Sequence, residues 1–159
     1  MSELRVGIGY DAHALEEGLA LVLGGVAFES ARGLAGHSDG DVIAHALVDA
    51  ILGAANLGDI GSMFPSGDER HRGAASLEFL SVAYREARDA GWELVNADCV
   101  LVGEEPRIGD VRAEMCERLA GALGVDAGSV TVRATTTDGL GFTGRGEGLA
   151  AQAVALLRR

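Results

Sequence analysis

Residues 41–55 read DVIAHALVDAILGAA, and this stretch decides the fold class. Its apolar residues recur at helical spacing, which predicts an amphipathic helix from about Asp41 to Ala55. Asp39 or Ser38 could cap the start of that helix. A strand is predicted earlier in the chain at Leu4–Tyr10, so the first third of the chain already combines a strand with a helix.

The rest of the chain continues this mixture. Further strands are predicted within Leu19–Phe28, at Trp92–Val102 and at Val130–Ala134. Further helices are predicted at about Ala74–Ala90, Ile108–Leu123 and Leu149–Leu157. We find no linker and no internal repeat, and we expect one domain over residues 1–159. This order of elements predicts an α+β fold, a two-layer sandwich of a four-stranded mixed sheet and helices.

The composition excludes several classes of protein. The formal net charge is −11 at pH 7 and all 13 basic residues are arginine, so we expect no nucleic-acid partner, no Schiff-base lysine and no P-loop. No apolar run approaches the roughly 20 residues of a membrane-spanning helix, and Met1–Arg5 does not start a signal peptide. Cys99 and Cys116 are too few for a disulfide scaffold. We therefore expect a cytoplasmic protein with no membrane partner.

Three residues near the start of the chain suit a metal ion. Asp11 and His13 are two positions apart at the end of the first predicted strand, so their side chains point to one face. His45 lies one turn after Asp41 on the predicted helix. One carboxylate and two imidazoles suit zinc with an open fourth position, which a catalytic metal requires. From spacing alone, a chance Asp-x-His pair and a histidine on the helix surface or satisfied in the core are the commoner explanation of such a pattern.

Two polar segments suit anions. His37-Ser38-Asp39-Gly40-Asp41 is typical either of a helix cap after a turn or of a helix N-terminus that binds an anion. In Thr135-Thr136-Thr137-Asp138 and the glycine-rich residues 139–148, hydroxyls, loop amides and Arg145 could cradle a phosphate, and Asp138 could hold a hard divalent cation. The same residues also fit an ordinary glycine-rich loop between a strand and a helix.

Taken in order along the chain, these motifs resemble one enzyme family. They are Gly9–His13, His37–Asp41, Gly58–Gly61, Phe64-Pro65, Ala134–Thr137 and Gly141–Gly148. Their order and spacing resemble the 2-C-methyl-D-erythritol 2,4-cyclodiphosphate synthases over nearly the whole chain. The resemblance implies a phosphorus–oxygen lyase of the non-mevalonate isoprenoid pathway. Such an enzyme converts 4-diphosphocytidyl-2-C-methyl-D-erythritol 2-phosphate to the 2,4-cyclodiphosphate and releases CMP. The resemblance also implies a chorismate-mutase-like homotrimer with active sites between adjacent subunits.

The resemblance further implies roles for the matched residues. Asp11, His13 and His45 would bind Zn²⁺, and Asp138 would bind Mg²⁺ or Mn²⁺ with the substrate diphosphate, where the family commonly has glutamate. His37 and Thr136 would be catalytic, as stabilisers of the transition state. The implied substrate-binding residues are Asp11, His13, His37, Ser38, Asp59, Ile60, Gly61, Phe64, Pro65, Ser66, Gly67, Asp68, Gly103, Glu104, Glu105, Pro106, Arg107, Ile108, Gly109, Thr135, Thr136, Thr137, Asp138, Phe142 and Arg145.

Within that set, segments of the chain would serve different parts of the substrate. Residues 64–68 would form a mobile substrate loop, residues 103–109 the cytosine loop and residues 135–138 the diphosphate site. Tyr10, Arg145 and Glu147 would lie at the mouth of a central cavity of the trimer, where some members hold an isoprenoid diphosphate.

Two functions of other classes stay open at this point. A zinc phosphoesterase would use the open metal position to activate water and would give linear products. A non-catalytic trimeric nucleotide-binding module would use zinc only structurally. A structural zinc normally has four protein ligands and only three are evident here, which counts against the module. The order of the motifs favours the cyclase over both.

Overall fold

A computed structural model describes residues 1–159 as a mixed sheet with helices on one face. The strands are β1 (Leu4–Glu17), β2 (Leu21–Leu23), β3 (Val26–Phe28), β4 (Arg32–Leu34), β5 (Glu93–Val102), β6 (Val130–Thr135) and β7 (Gly148–Arg158). The helices are α1 (Val42–Ala55), α2 (Ile60–Met63), α3 (Ser76–Asp89), α4 (Arg112–Leu123) and α5 (Gly141–Gly144). None of these helices has the length and apolar character needed to cross a membrane.

The main sheet has the strand order β4-β1-β7-β5-β6, and β2 pairs with β3 in a separate hairpin. Only β5 and β6 are parallel; the other neighbours in the sheet are antiparallel. The predicted α+β class is therefore confirmed, with five strands in the sheet rather than four. The helices α1, α3 and α4 lie where the periodicity predicted them, although α4 begins later than predicted, at Arg112.

The C-terminal segment is a strand, so the helix predicted at Leu149–Leu157 is wrong. This strand, β7, lies in the middle of the sheet between β1 and β5. Ala151, Ala153 and Ala155 are buried while Gln152 and Val154 are exposed, which is the alternation of a strand with one covered face. Alanine has the highest intrinsic helix propensity, but pairing with two neighbouring strands overrides that weak preference.

Helix α1 packs directly against the backbone of β1. A Cβ atom on Gly7 would collide with the carbonyl oxygen of Ala50, and one on Gly9 with the carbonyl oxygen of Ala46. Glycine at both positions therefore allows the helix to lie against the strand with no side-chain layer between them. Because β1 side chains alternate, Asp11 and His13 lie on the same helix-facing side as Gly7 and Gly9.

Asp41 forms the cap of α1, in place of the predicted Asp39 or Ser38. Its fully buried carboxylate accepts the backbone N–H groups of Ile43 and Ala44, each at 3.1 Å. It also accepts those of Gly24 at 2.9 Å and Gly25 at 2.8 Å, in the turn between β2 and β3. Burial raises the pKa of Asp41 to about 6, although these hydrogen bonds favour the ionised form. One carboxylate thus joins the hairpin to the start of the helix.

The second face of the sheet is apolar and exposed in the single chain. Val6 is 69% exposed and Ile8 is 72% exposed, and Leu4, Tyr10 and Val154 are exposed on the same sheet. A contiguous apolar surface of this kind is typical of a protein–protein interface.

Candidate functional site

Asp11, His13 and His45 meet where β1 and α1 are in contact. Asp11 Oδ2 lies 2.8 Å from His13 Nε2 and 3.0 Å from His45 Nδ1, and the two histidine nitrogens are 3.4 Å apart. Two ligand atoms of one tetrahedral zinc ion are about 3.3 Å apart, given zinc–ligand distances near 2.0–2.1 Å. The three atoms therefore fit a single ion, and the sequence prediction of an Asp-His-His group that could hold a metal is confirmed.

The charge of Asp11 controls protonation in this group. The hydrogen bond to Asp11 raises the pKa of His13 and outweighs the opposing effect of burial. Burial acts to raise the pKa of Asp11, but the hydrogen bonds from His13 and His45 outweigh it and the pKa is lowered. The ionised Asp11 carboxylate thus stabilises positive charge beside it. A bound metal cation would supply that charge.

Hydrogen bonds outside the group determine which ring nitrogens face the metal position. His13 Nδ1 is 2.5 Å from the carbonyl oxygen of Ala35, so Nδ1 donates there and Nε2 faces Asp11. His45 Nε2 lies 2.7 Å from Ser76 Oγ and 3.1 Å from Ser38 Oγ, on the side of the ring opposite Asp11. Both imidazoles are therefore held from behind by neighbouring groups, as is usual for metal-binding histidines.

A cavity of about 390 Å³ opens beside the Asp-His-His group. The predicted site residues that line it are Asp11, His13, His37, Ser38, His45, Ile60, Gly61, Phe64, Pro65, Ser66 and Gly67. The structure thus brings together three segments that are distant in the sequence: the first strand, the start of α1 with the turn before it, and α2 with the loop after it. The cavity is large enough for part of a small-molecule ligand.

The sequence missed two residues of this cavity, His71 and Phe79. Phe79, on α3, stacks on the ring of Phe64 at a centroid distance of 4.5 Å. His71 packs edge-on against both phenylalanine rings and is half-buried, although its immediate neighbours in the sequence are charged. Only the folding of α3 and of the segment before it against the loop assigns Phe79 and His71 to the site, so no local sequence pattern could have found them.

Two predicted substrate-binding carboxylates are engaged in holding the loop. The Asp59 side chain accepts the backbone N–H of Ser62 at 2.8 Å and caps α2. The Asp68 side chain pairs with Arg70, whose hydrogen bonds hold the pKa of this carboxyl far below its usual range. The carbonyl oxygen of Asp68 is 2.9 Å from His37 Nε2, so the loop and His37 are directly connected.

The remaining predicted residues lie in a different part of the chain. A second cavity of about 280 Å³ is lined by residues 103–107 together with Ala134, Thr135 and Thr136. It shares no lining residue with the first cavity. Within one chain, the predicted site is therefore divided into a metal-and-loop half and a half formed by residues 103–107 and 134–136.

The other predicted residues surround this second half-site or lie outside it. Ile108 is buried in the hydrophobic core, and Gly109 is exposed. Asp138 is exposed and adopts a left-handed conformation with φ 52°, and its carboxylate accepts the Thr136 hydroxyl at 3.2 Å. Thr137 hydrogen-bonds within its own loop to Leu140 and Thr143.

Phe142 and Arg145 lie at the end of the glycine-rich segment, near the start of β7. Phe142 and His13 line a further small cavity together with Glu147. Arg145 Nε donates to Glu147 Oε1 at 2.7 Å. The glycine-rich segment forms the short helix α5 and then leads into a strand rather than into the predicted last helix.

Comparison with known proteins identifies the family. A family model described as the YgbB family matches residues 4–158. The chain is 56% identical over 154 residues to the 2-C-methyl-D-erythritol 2,4-cyclodiphosphate synthase of Moorella thermoacetica. This match covers 97% of this chain and 94% of that protein. The structure of the bifunctional IspDF from Campylobacter jejuni has a TM-score of 0.95 at 42% identity; the match covers 99% of this chain but 43% of that chain.

A further solved structure carries a nucleotide. It is a 2C-methyl-D-erythritol-2,4-cyclodiphosphate synthase in a CDP-bound form, with a TM-score of 0.87 at 38% identity. The match covers 96% of this chain and 99% of that one. With the order of the motifs and the Asp-His-His group, these matches show that the chain belongs to the YgbB family of 2-C-methyl-D-erythritol 2,4-cyclodiphosphate synthases.

Proposed function

We propose that this chain converts 4-diphosphocytidyl-2-C-methyl-D-erythritol 2-phosphate to 2-C-methyl-D-erythritol 2,4-cyclodiphosphate and releases CMP, as a phosphorus–oxygen lyase of the non-mevalonate isoprenoid pathway. The observation that carries the proposal is the Asp-His-His group beside a cavity lined by the family's motif residues. The names of the relatives and the CDP-bound synthase support a cytidine diphosphate ligand.

The reaction needs positioning more than proton removal. An oxygen of the 2-phosphate attacks the β-phosphorus, and the bond from that phosphorus to the oxygen of CMP breaks, with its electron pair leaving on CMP. The second pKa of a phosphate monoester is about 6, so the nucleophile is mostly ionised at neutral pH. Holding the two ends of a flexible substrate together can lower the barrier by up to roughly 7–11 kcal/mol.

The chemistry of the ligand atoms indicates which metal ion each group of residues would hold. Asp11, His13 and His45 would hold Zn²⁺, because their three donor atoms fit one tetrahedral ion. Asp138 would hold Mg²⁺ or Mn²⁺ together with the substrate diphosphate, since an exposed carboxylate oxygen suits a hard cation. When bound, these ions would offset phosphate charge and polarise the phosphoryl oxygens.

The side chains around these ions would orient the substrate. His37 lines the cavity, and its Nε2 is within hydrogen-bond distance of the Asp68 carbonyl oxygen. Loop 64–68 and the His37 imidazole would therefore close on the substrate together. Ser38 presents a half-buried hydroxyl in the same cavity. Thr136 lines the second cavity, where its hydroxyl would face the diphosphate and residues 103–107 would contact the cytosine.

The division of the site into two half-sites supports a homotrimer. The half-sites share no lining residue, and the sheet face that carries Val6, Ile8 and Tyr10 is apolar and exposed. Packing of these faces around a threefold axis would bury them and would bring the metal-and-loop half of one subunit to the cytosine half of its neighbour. Tyr10, Arg145 and Glu147 would then surround the mouth of a central cavity that could take an isoprenoid diphosphate.

Phosphorus NMR of the protein with the cytidine diphosphate substrate, Zn²⁺ and Mg²⁺ tests the proposed reaction. We expect two coupled resonances of a cyclic diphosphate together with those of CMP. A His45→Ala variant should lose zinc and turnover together, because one of the three ligands is gone. Linear phosphate products would instead identify a phosphoesterase, and unchanged substrate with both metals bound would identify a binding module.

A further inference from the structure

A buried hydroxyl lies directly behind His45. Ser76 is the first residue of α3 and is 0% exposed. Its Oγ is 2.7 Å from His45 Nε2, the ring nitrogen that points away from Asp11 and His13. Ser76 neither lines the cavity nor belongs to any motif that the sequence indicated. Its contact with His45 therefore needs an explanation other than substrate binding.

Asp39 holds Ser76 from the other side. One carboxylate oxygen accepts the Ser76 backbone N–H at 3.0 Å, and the other accepts the Ser76 hydroxyl in a short hydrogen bond. The backbone N–H of Asp41 also donates to Asp39, at 3.1 Å. Because Asp39 lies in the turn before α1, this contact connects that turn to the first residue of α3 and orients the hydroxyl.

The direction of these hydrogen bonds determines where the proton of His45 sits. An ionised carboxylate only accepts, so the Ser76 hydroxyl proton points to Asp39. The lone pairs of Ser76 Oγ then face His45, and Nε2 must carry the N–H that donates to them. In this structure Nδ1 donates to the Asp11 carboxylate, 3.0 Å away. A bound metal ion would take the place of that proton, and the Nδ1 lone pair would then point at the ion while Nε2 keeps its N–H.

Ser38 also approaches His45 but differs from Ser76. Its Oγ is 3.1 Å from His45 Nε2, and it is half-buried and lines the cavity. Its Oγ is also 3.3 Å from Ser76 Oγ, and no carboxylate fixes its hydroxyl proton as Asp39 fixes that of Ser76. Ser76 is closer to Nε2, fully buried and oriented by Asp39, which favours Ser76 as the fixed acceptor.

We propose that Ser76, oriented by Asp39, is a positioning residue that holds the proton of His45 on Nε2 and aims Nδ1 at the metal. The proposal rests on the proposed role of His45 as a metal ligand. Removing a hydrogen-bond partner of a metal ligand typically weakens metal binding by roughly 10–100-fold. A purely structural role for Ser76 would lower stability without changing the protonation of His45.

The test compares wild type with Ser76→Ala and with the control Ser81→Ala, which removes a half-buried hydroxyl elsewhere on α3. Zinc affinity is measured by competition with a chelating dye, in the absence of substrate. We expect Ser76→Ala to bind zinc roughly 10–100-fold more weakly, while Ser81→Ala matches wild type. Equal zinc affinity in a folded Ser76→Ala variant would overturn the proposal.

A second measurement detects the proposed proton on His45 Nε2 directly. In the zinc-loaded wild type, imidazole-edited NMR should show a His45 Nε2–H that exchanges slowly with water and lies close to the Ser76 β-protons. Ser76→Ala should lose that protection and Ser81→Ala should keep it. If Ser76→Ala does not fold, absence of this proton in wild type would still disprove the proposal. Neither measurement uses substrate. If the wild-type protein showed no cyclase activity, that result would contradict the proposed function but would leave this test of Ser76 unaffected.

Discussion

Asp49 on α1 is hydrogen-bonded to the backbone of Ile60, the first residue of α2. Asp49 Oδ1 accepts the backbone N–H of Ile60 at 2.7 Å, at the start of α2. Asp49 follows His45 by one turn of α1, so both side chains project from the same side of the helix. One helix therefore carries a metal ligand and also holds the first residue of α2, the short helix that leads into loop 64–68.

Replacement of Asp49 by alanine should loosen the loop without removing zinc. The Ile60 N–H would lose a charged acceptor, which costs about 1–3 kcal/mol of stability. We expect KM for the cytidine substrate to rise several-fold while zinc affinity stays at the wild-type value. Steady-state kinetics and metal titration test this, with the exposed Asp110→Ala as control. A variant that loses zinc and keeps its KM would contradict the assigned role.

Asp138 should act through its charge. Its φ of 52° is unfavourable for alanine but common for asparagine, so Asp138→Asn removes the charge with little backbone strain. We expect the variant to retain zinc and to lose activity most severely at limiting Mg²⁺, with partial recovery at high Mg²⁺. Asp138→Glu should keep the response to Mg²⁺ close to that of wild type. An Asp138→Asn variant with an unchanged Mg²⁺ dependence would remove this residue from the mechanism.

Asp41 should make stability depend on pH. Its folded-state pKa of about 6 lies above its ordinary value of 3.8, so between these values the folded protein binds more protons than the unfolded chain. The resulting stabilisation is complete below the ordinary value and is lost as the pH rises through about 6. A shift of this size corresponds to about 3 kcal/mol.

Asp41→Asn removes this titration, and the variant is also less stable because one amide N–H of asparagine would face a backbone donor. We expect the stability difference between wild type and Asp41→Asn to shrink by about 3 kcal/mol as the pH rises through this window. Denaturant unfolding at one fixed protein concentration measures it. A difference that does not vary with pH would show that Asp41 titrates normally.

A charge on the exposed sheet face should disrupt assembly. We expect Ile8→Glu to yield monomers, because the carboxylate would be buried among apolar side chains at the proposed interface. These monomers should keep zinc, since the Asp-His-His group lies within one chain, but should lose cyclase activity. Analytical ultracentrifugation and metal analysis test this, with Leu19→Glu outside the sheet as control. Fully active monomers would argue against a site shared between subunits.

Local patterns predicted part of this structure. The period of the apolar residues located α1, and the two-residue spacing of Asp11 and His13 placed both side chains on one face of β1. The alanine-rich strand β7 was assigned as a helix, because its burial depends on strands more than 45 residues away along the chain. Ser76, His71 and Phe79 reach the site from α3 and the segment before it, and nothing next to them in the sequence marks them.

The contact of α1 with the glycines of β1 has a consequence for re-engineering. Because Gly7 and Gly9 bring main chain against main chain, the spacing between β1 and α1 is set by van der Waals contact of the two backbones rather than by side chains that can repack. Substitutions elsewhere in the core should therefore leave the span between the ligands unchanged. A metal site redesigned on this scaffold would therefore need ligands that fit the existing distance between β1 and α1. Replacing either glycine with alanine should push the two elements apart even though no ligand residue is changed.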